Sequence, residues 1–384
     1  MKHILPNGPI LVFMSQAYQA YRDKINGIYN AAIRHHWMIL PIEKRLSPRL
    51  LKEMIAAWKP IGCLIDPTQM TCRLEPEMLQ GVPTVLIGPD FHRTRQIFDY
   101  TYQDAEGAVE IAVQALSTRD FRSYGYVAHP SKLHWSVERG MFFKAATKSR
   151  APCFLYEGPS IETSRGRVAF TRWLNDLPKP AGILLATDHL AASFYATVQA
   201  SGLKIPDELS VVSVDNIEAI CRGVRPELTS VTLDFHRNGK LAIELLERRI
   251  SHPRAPLTSR KYGVLGISNR ASTGSIYSDV RIRKALEYIH DHACEERLSI
   301  TTIARQMHCG RRLAEKLFRS ESGKSIMQHI HEHRINAALS FLRNPTLPIE
   351  DIPGLCGYAS PAYFKMLFHR TVGLSMRDWR KSQT

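Results

Sequence analysis

The sequence lacks the patterns that would place the protein in a membrane or give it a structural metal site. Its apolar runs are short, and the first of them, residues 10–14, is too short for a signal peptide or a membrane-spanning helix. The seven cysteines are scattered, without a CxxC pair or a zinc-like spacing of cysteine and histidine. We therefore expect a cytoplasmic protein with free thiols, no membrane segment and no metal.

Motifs of the common enzyme classes are also absent. The sequence contains no glycine-rich phosphate loop, no GxSxG nucleophile elbow and no HExxH zinc site. The polar residues that follow its apolar runs are isolated carboxylates, without a paired nucleophile. The sequence therefore predicts a non-enzyme without a cofactor, and an enzyme acting on a sugar is the third and weakest interpretation.

Acidic residues are fewer than basic ones, 36 against 51, so the 384-residue chain carries a formal net charge of +15. Such an excess favours a polyanionic partner. The segment from residue 279 onward has 17 Lys and Arg against 11 Asp and Glu, which gives +6 and leaves +9 for the remainder. Because the positive charge is spread over the whole chain, a DNA-binding region has to be located by its pattern.

A short pattern occurs twice near the C-terminus, fifty residues apart. Leu317-Phe318 is followed by Gly323, and Leu367-Phe368 is followed by Gly373. Each copy comes after an apolar-patterned helix and a short break. This arrangement predicts two helix-turn-helix units, which would bind two neighbouring stretches of double-stranded DNA.

The second helix of each copy is amphipathic when wound at about 100° per residue. Leu313 and Tyr363 are expected on the apolar faces, together with the repeated Leu-Phe pairs. Ser360 before Pro361 predicts a well-capped start for the second helix. The candidate DNA-binding residues are Arg311, Arg312, Lys316 and Arg319 in the first unit, and Ser360, Ala362, Lys365 and His369 in the second.

The two outer faces are unequal. Arg312 and Lys316 lie four residues apart and suit the acceptor atoms of guanine, whereas other basic residues are expected to contact phosphates. Met366 leaves the second unit with few polar side chains that could read bases. His329, His331 and His333 alternate by two residues, so they are expected to face solvent or phosphate instead of sharing a metal ion.

Residues 279–380 resemble the AraC/XylS-type DNA-binding domain. The most specific stretch is Ile349-Glu-Asp-Ile352, Cys356-Gly357-Tyr358, Ser360, Tyr363-Phe364, Leu367-Phe368, Gly373 and Trp379-Arg380. The resemblance implies an all-α domain over 279–384. Four positions depart from the family pattern: Pro353 replaces an alanine, His308 replaces the turn glycine, Met366 stands where a basic residue is common and Met376 replaces a proline.

Short apolar runs alternate with amphipathic helices through the first 270 residues. The runs at 10–14, 61–65, 84–87, 124–128, 183–186 and 211–214 predict buried parallel strands in a doubly wound α/β fold. Ligands of such sheets bind beyond the carboxyl ends of the strands. Carboxylates there suit the hydroxyls of a sugar, although each could instead cap a loop. The polar residues at those ends are Gln16, Asp66, Asp90, Asp188, Asp215 and Asn216.

A second resemblance, to the LacI-type sugar-sensing domain, is carried by Thr187-Asp188-His-Leu-Ala191, by residues 202–216 and by residues 226–231. It implies a periplasmic-binding-protein-like domain with two lobes, three crossing strands and a ligand in the hinge cleft. By this resemblance Asp188, Asp215 and Arg139 bind the ligand, although Phe142 stands where the family has a glycine. Asn216, Gln16 and Tyr18 are further ligand candidates, and Tyr18 and Trp135 could equally pack in the core.

The two resemblances together imply a sugar sensor over residues 1–265, a linker over 266–278 and a DNA reader over 279–384. A sensor of the first type before a reader of the second is an arrangement found in regulators of sugar use. It implies D-xylose as the effector, with another pentose, another monosaccharide or an anionic sugar as alternatives. A homodimer is expected, with RNA polymerase as a partner if the protein is an activator. The alternative is a cytoplasmic sugar-binding protein whose helical domain binds a protein partner.

Overall fold

The computed structural model describes residues 8–14, 19–88, 97–117, 120–274, 279–342, 344 and 347–383. The chain forms two compact units, Met1–Gly274 and Ser275–Thr384. Within the described residues, no helix has the length and apolar composition needed to cross a bilayer. The two units are described separately below.

The first unit is an α/β structure with two sheets. Its strands are β1 (Ile10–Phe13), β2 (Ile39–Ile42), β3 (Gly62–Ile65), β4 (Thr84–Ile87), β5 (Asp99–Gln103), β6 (Ser123–Val127), β7 (Cys153–Tyr156), β8 (Ala181–Leu185), β9 (Leu209–Val214), β10 (Thr229–Leu233), β11 (Ser259–Tyr262) and β12 (Val264–Ser268). Its helices are α1 (Gln19–Ala32), α2 (Pro48–Trp58), α3 (Ala105–Leu116), α4 (His134–Thr147), α5 (Ser164–Asp176), α6 (Ala191–Ala200), α7 (Glu218–Gly223) and α8 (Phe235–Ser251).

Each sheet forms the centre of one lobe. The first has the order β11-β5-β4-β3-β1-β2, and all of its strand pairs are parallel. The second has the order β12-β10-β9-β8-β6-β7, in which only β12 runs antiparallel to its neighbour. The central strands β1, β3, β8 and β9 are buried along their whole length, as expected when helices cover both faces of a parallel sheet.

The chain passes between the lobes three times in the described residues. It crosses from β5 into α3, from β10 into α8, and from β11 into β12. Helix α3 packs against β9, β10 and β12 in the second lobe, whereas α8 packs against α1 and β3–β5 in the first. The predicted two-lobed architecture with three crossings is therefore confirmed.

The six predicted strands are all present, with ends that differ from the prediction by at most two residues. Three of the strands that were not predicted have mixed or interrupted patterns: β2 contains Pro41, β5 alternates polar and aromatic residues, and β11 is largely polar. The predicted linker at 266–278 begins inside β12 and includes Ser272 and Thr273, which are both buried. The first unit therefore extends to Gly274.

The second unit is helical and has two separate hydrophobic cores. Its helices are α9 (Val280–His292), α10 (Ile300–Gln306), α11 (Arg311–Ser322), α12 (Ile326–Leu342), α13 (Ile352–Leu355), α14 (Pro361–Val372) and α15 (Met376–Gln383). Helices α10 and α11 form the first helix-turn-helix, and α13 and α14 form the second. Gly323 and Gly373 end α11 and α14 in left-handed conformations, at φ of 68° and 78°, which explains the repeated glycine.

Three of the departures from the family pattern have structural explanations. His308 lies in the turn between α10 and α11 at φ 50°, so it occupies the left-handed conformation that the expected glycine would adopt freely. Pro353 lies in the first turn of α13, where no helical hydrogen bond is lost. Met376, at the start of α15, is 4% exposed and packs in the second core.

Two expectations about this unit are wrong. Leu313 and Tyr363 are 44% and 45% exposed, because each lies at the edge of its helix and not on the buried face. The histidines do not share an exposed surface either. His329 is buried and hydrogen-bonds to the Ser322 hydroxyl, while His331 hydrogen-bonds to the Tyr358 hydroxyl at 2.6 Å.

Candidate functional site

A cleft of about 210 Å³ lies between the two lobes, beyond the carboxyl ends of the strands. This volume suits a small polar molecule, since drug-sized ligands occupy roughly 300–1,000 Å³. Both lobes and the crossing segments contribute polar side chains to its wall. The main ones are Lys24, Asp66, Gln103, Arg139, Thr187, Asp215 and Asn238.

Arg139, on α4, lies in the wall of the cleft and is only 1% exposed. Its guanidinium donates hydrogen bonds to the Ala186 carbonyl and, at 2.6 Å, to Oε1 of Gln103. Its Cζ lies 5.1 Å from the ring centre of Trp135, which also lines the cleft. Its Nε is shielded from solvent and has no hydrogen-bond partner among the described residues. Phe142, in place of the family's glycine, packs against the core of the second lobe and does not displace Arg139.

Asp215 follows β9 and lines the cleft with its backbone at φ 109°, a conformation that non-glycine residues rarely adopt. Thr187 donates its hydroxyl proton to Oδ2 of Asp215 at 2.7 Å. Burial raises the pKa of Asp215, while the positive charge of Arg139 opposes that rise. Strained backbone at a ligand-facing carboxylate is typical of functional sites.

Asp188 does not line the cleft, contrary to its predicted role as a ligand-binding carboxylate. It is fully buried, and its Oδ2 accepts a hydrogen bond from the Ile217 amide at 2.6 Å. Its Oδ1 accepts one from the Ser230 hydroxyl at 2.7 Å. Burial, and then the negative charge of Asp215, raise the pKa of Asp188 to about 7. Asp188 therefore supports the loop that carries Asp215, and its neighbour Thr187 occupies the cleft wall.

Asn216 also turns away from the cleft. Its amide donates to the Ser268 hydroxyl at 3.0 Å and accepts from Arg270 at 2.9 Å, so it holds the end of β9 to the segment that follows β12. Gln16 and Tyr18, the remaining predicted ligand residues, lie outside the described residues, as does Asp90.

Four of the main polar residues of the cleft, named above, were not selected from the sequence as ligand candidates. The ammonium of Lys24 lies 4.8 Å from the ring centre of Tyr21. Burial lowers the pKa of Lys24, and the negative charges of Asp66 and Asp215 partly oppose this effect. Asn238 is 1% exposed, and its Oδ1 has no protein partner. Gln103 and Thr187 complete the set. Lys24 and Asn238 lie inside helices, and only the lobe crossings bring them to the cleft, so no local sequence pattern identifies them.

The predicted DNA-binding residues lie on exposed faces of α11 and α14. In the first helix-turn-helix, these exposed residues are Arg311, Arg312, Lys316 and Arg319. In the second helix-turn-helix, they are Ser360, Ala362, Lys365 and His369. Arg319 lies 4.0 Å from the Glu315 carboxylate. The Ser360 hydroxyl accepts a hydrogen bond from the Tyr363 amide, so the predicted helix cap is confirmed.

Two domain models match this sequence. A periplasmic binding protein-like domain matches residues 113–273, and a helix-turn-helix domain matches residues 303–382. The xylose operon regulatory protein of Escherichia coli K12 is 26% identical over 385 residues, which span 96% of both chains. The protein of the same name from Haemophilus influenzae is 28% identical over 316 residues, covering 79% of this chain and 81% of its own.

Solved structures show the same architecture. The structure of a xylose-binding transcription activator matches with a TM-score of 0.58 and 22% identity, over 98% of both chains. A LacI family regulator from Enterococcus faecium with bound ribose matches with a TM-score of 0.55 and 20% identity. That match covers 69% of this chain and 98% of the regulator, so it corresponds to the sensor unit. The order of sensor and reader is shared with the full-length relatives.

Proposed function

Because the chain is a DNA-binding transcription regulator with a sugar sensor of the periplasmic binding protein-like fold, we propose that it activates pentose-utilisation genes in response to D-xylose. It acts in the cytoplasm as a homodimer and recruits RNA polymerase to promoter DNA. The observation that carries the proposal is a small polar cleft, walled by both lobes, in a chain that also carries two helix-turn-helix units. The names of the full-length relatives support xylose as the sugar.

The chemistry of the cleft suits a neutral polyol. Asp66 from the first lobe and Asp215 from the second present carboxylate oxygens that accept hydrogen bonds from sugar hydroxyls. Arg139 lines the same cleft, and guanidinium N–H groups suit a ring or hydroxyl oxygen. The cleft is lined by two cationic side chains, Lys24 and Arg139, and by the carboxylates of Asp66, Glu138 and Asp215, so it does not require an anionic ligand.

A sugar that contacts both lobes binds the closed cleft more tightly than the open one. It therefore shifts the population towards the closed form by the difference between the two binding free energies. The lobe crossings act as the hinge, since three segments join the lobes. In a dimer, this closure changes how the two reader units are presented to DNA.

A thermal-shift assay of the full-length protein tests the effector. D-xylose, D-ribose, L-arabinose and D-glucose are compared, and a ligand at 100 times its Kd adds about 2.7 kcal/mol of stability. We expect xylose to give the largest shift and Asp215→Asn to reduce that stabilisation to less than about half. The exposed Asp120→Asn serves as the matched control. A larger shift with another sugar would reassign the effector, and no shift with any of them would reject a monosaccharide sensor.

Binding of the full-length protein to duplex DNA tests the reader. The logarithm of the association constant is expected to fall linearly with the logarithm of salt concentration, with a slope of about −0.9 per neutralised phosphate. An affinity that does not depend on salt, or the absence of any duplex binding, would favour a helical domain that binds a protein partner.

A further inference from the structure

The two helix-turn-helix units share α12 but not a hydrophobic core. The first half of α12 contributes Ile326 and Ile330 to the core formed with α9–α11. The second half contributes Ile335, Ala338 and Leu342 to the core formed with α13 and α14. The boundary between the two cores falls between residues 330 and 335. Apolar packing therefore stabilises each unit internally and leaves their relative orientation to other contacts.

Arg334 lies at this boundary and contacts both units. Its Nε donates to the Ala293 carbonyl at 2.6 Å, and its Nη2 donates to the Glu295 carbonyl at 2.8 Å. Both acceptors belong to the loop that joins α9 and α10, on the side of the first helix-turn-helix. Its Cζ lies 4.7 Å from the ring centre of Tyr358, in the turn of the second helix-turn-helix. With the side chain 5% exposed, these contacts are shielded from water.

The backbone also approaches closely at this boundary. Gly357, at φ 76°, lies close to the loop between α9 and α10. An added Cβ would stand 2.6 Å from the Cys294 carbonyl oxygen and 3.1 Å from Nη2 of Arg334. Both the backbone conformation and the space therefore require glycine. The ring of Tyr358 is stacked on His331 of α12, with ring centres 5.9 Å apart and planes at 11°.

We propose that Arg334 is a positioning residue that fixes the angle and separation of α11 and α14, so that the protein reads two DNA subsites at one spacing. A planar guanidinium can hold two carbonyl oxygens and stack on a ring at once, which neither lysine nor an apolar side chain can do. Without Arg334, the carbonyls of Ala293 and Glu295 lose their hydrogen-bond donor. The relative orientation of the two helix-turn-helix units then depends on α12 alone. The inference rests on the proposed function, because it requires that both units bind DNA.

The test uses duplexes that the full-length wild-type protein selects from a random-sequence pool, followed by mapping of the two protected segments. Two derivatives have one base pair inserted or removed between those segments, which shifts one subsite by about 3.4 Å and rotates it by roughly 35°. We expect the wild-type protein to lose at least about tenfold in affinity on each derivative. Arg334→Met is expected to bind the parent duplex more weakly and to lose less than about threefold on the derivatives.

Two further variants separate positioning from stability. Gly357→Ala perturbs the same boundary without changing charge, and it should also reduce the spacing penalty. Leu298→Ala, in the first core only, should weaken binding to all three duplexes equally. Arg334→Lys retains the charge without the planar fork, and it should behave like Arg334→Met; it carries the test if the methionine variant does not fold.

The outcomes that overturn the inference are distinct from those that overturn the proposed function. A spacing penalty that stays at the wild-type value in the Arg334 variants and in Gly357→Ala rejects the positioning role alone. A wild-type protein that tolerates the inserted base pair rejects it as well. A wild-type protein that selects no duplex rejects the proposed function, and the inference with it.

Discussion

The buried carboxyl group of Asp188 makes the stability of the sensor unit depend on pH in a direction opposite to that of most carboxylates. Its pKa is raised to about 7, from an ordinary value of 3.8, because it is buried and lies near Asp215. Between these two values the folded protein binds a proton that the unfolded chain does not. Stability therefore falls as the pH rises through this window and levels off above pH 7.

The size of the effect follows from the two pKa values. Protonation of Asp188 stabilises the folded state by about 2–3 kcal/mol at pH 5 and by almost nothing at pH 8. Asp188→Asn replaces the carboxyl with an amide that cannot ionise and that can still accept from the Ile217 amide. We expect the free energy of unfolding of this variant, measured relative to wild type, to rise by about 2 kcal/mol between pH 5 and pH 8.

Urea unfolding at several pH values, followed by tryptophan fluorescence, measures this difference. Four of the five tryptophans, Trp37, Trp58, Trp135 and Trp173, lie in the sensor unit and report mainly on it. Asp120→Asn, at an exposed position of the same lobe, should follow wild type at every pH. If Asp188→Asn and wild type keep a constant difference from pH 5 to pH 8, the raised pKa of Asp188 is refuted.

Three further predictions concern the cleft and the reader. Asp215→Asn removes a charged acceptor and should weaken sugar binding by about 1.5–3 kcal/mol, measured by calorimetry; an unchanged Kd would place the sugar elsewhere. Arg312→Ala should relax base preference at one position by about 1–3 kcal/mol in a competition against single-base variants of the selected duplex, whereas Arg319→Ala should weaken all duplexes alike; equal behaviour of the two would reject the assigned reading face. His308→Gly should stabilise the helical unit by about 1 kcal/mol in chemical denaturation, because glycine adopts the left-handed turn without strain; a loss of stability would show that the imidazole makes a compensating contact.

The architecture was predictable because it is encoded in periodic patterns. Buried parallel strands are continuous apolar runs, and the run from 211 to 214 lies inside β9. Several of the strands that were missed lack such runs, whereas β7, which reads Cys-Phe-Leu-Tyr, has one and was still missed. Strand β11 reads Ser-Arg-Lys-Tyr, which forms a strand only because the chain returns to pair with β5 before it crosses to the second lobe.

The cleft was less predictable because adjacent residues at the end of a strand point in different directions. Thr187 and Asp188 are neighbours, yet Thr187 lines the cleft and Asp188 lies behind it in the core. Asp215 and Asn216 divide in the same way, and both adopt positive φ values that the sequence does not reveal. A pattern can therefore locate the turn, but the backbone conformation at each residue decides which side chain reaches the ligand.

The two copies of the fifty-residue repeat have corresponding buried positions but different exposed side chains. The inner positions correspond: Ala314 with Phe364 and Phe318 with Phe368 are buried in both units. The outer positions diverge, since Arg312 corresponds to Ala362 and Lys316 to Met366, which is 60% exposed. A methyl group and a thioether donate no hydrogen bonds to base edges or phosphates. If Arg334 keeps the two helix-turn-helix units in one orientation, the polar contacts of the first determine where the second binds on the DNA. The second then contributes affinity with little base preference of its own.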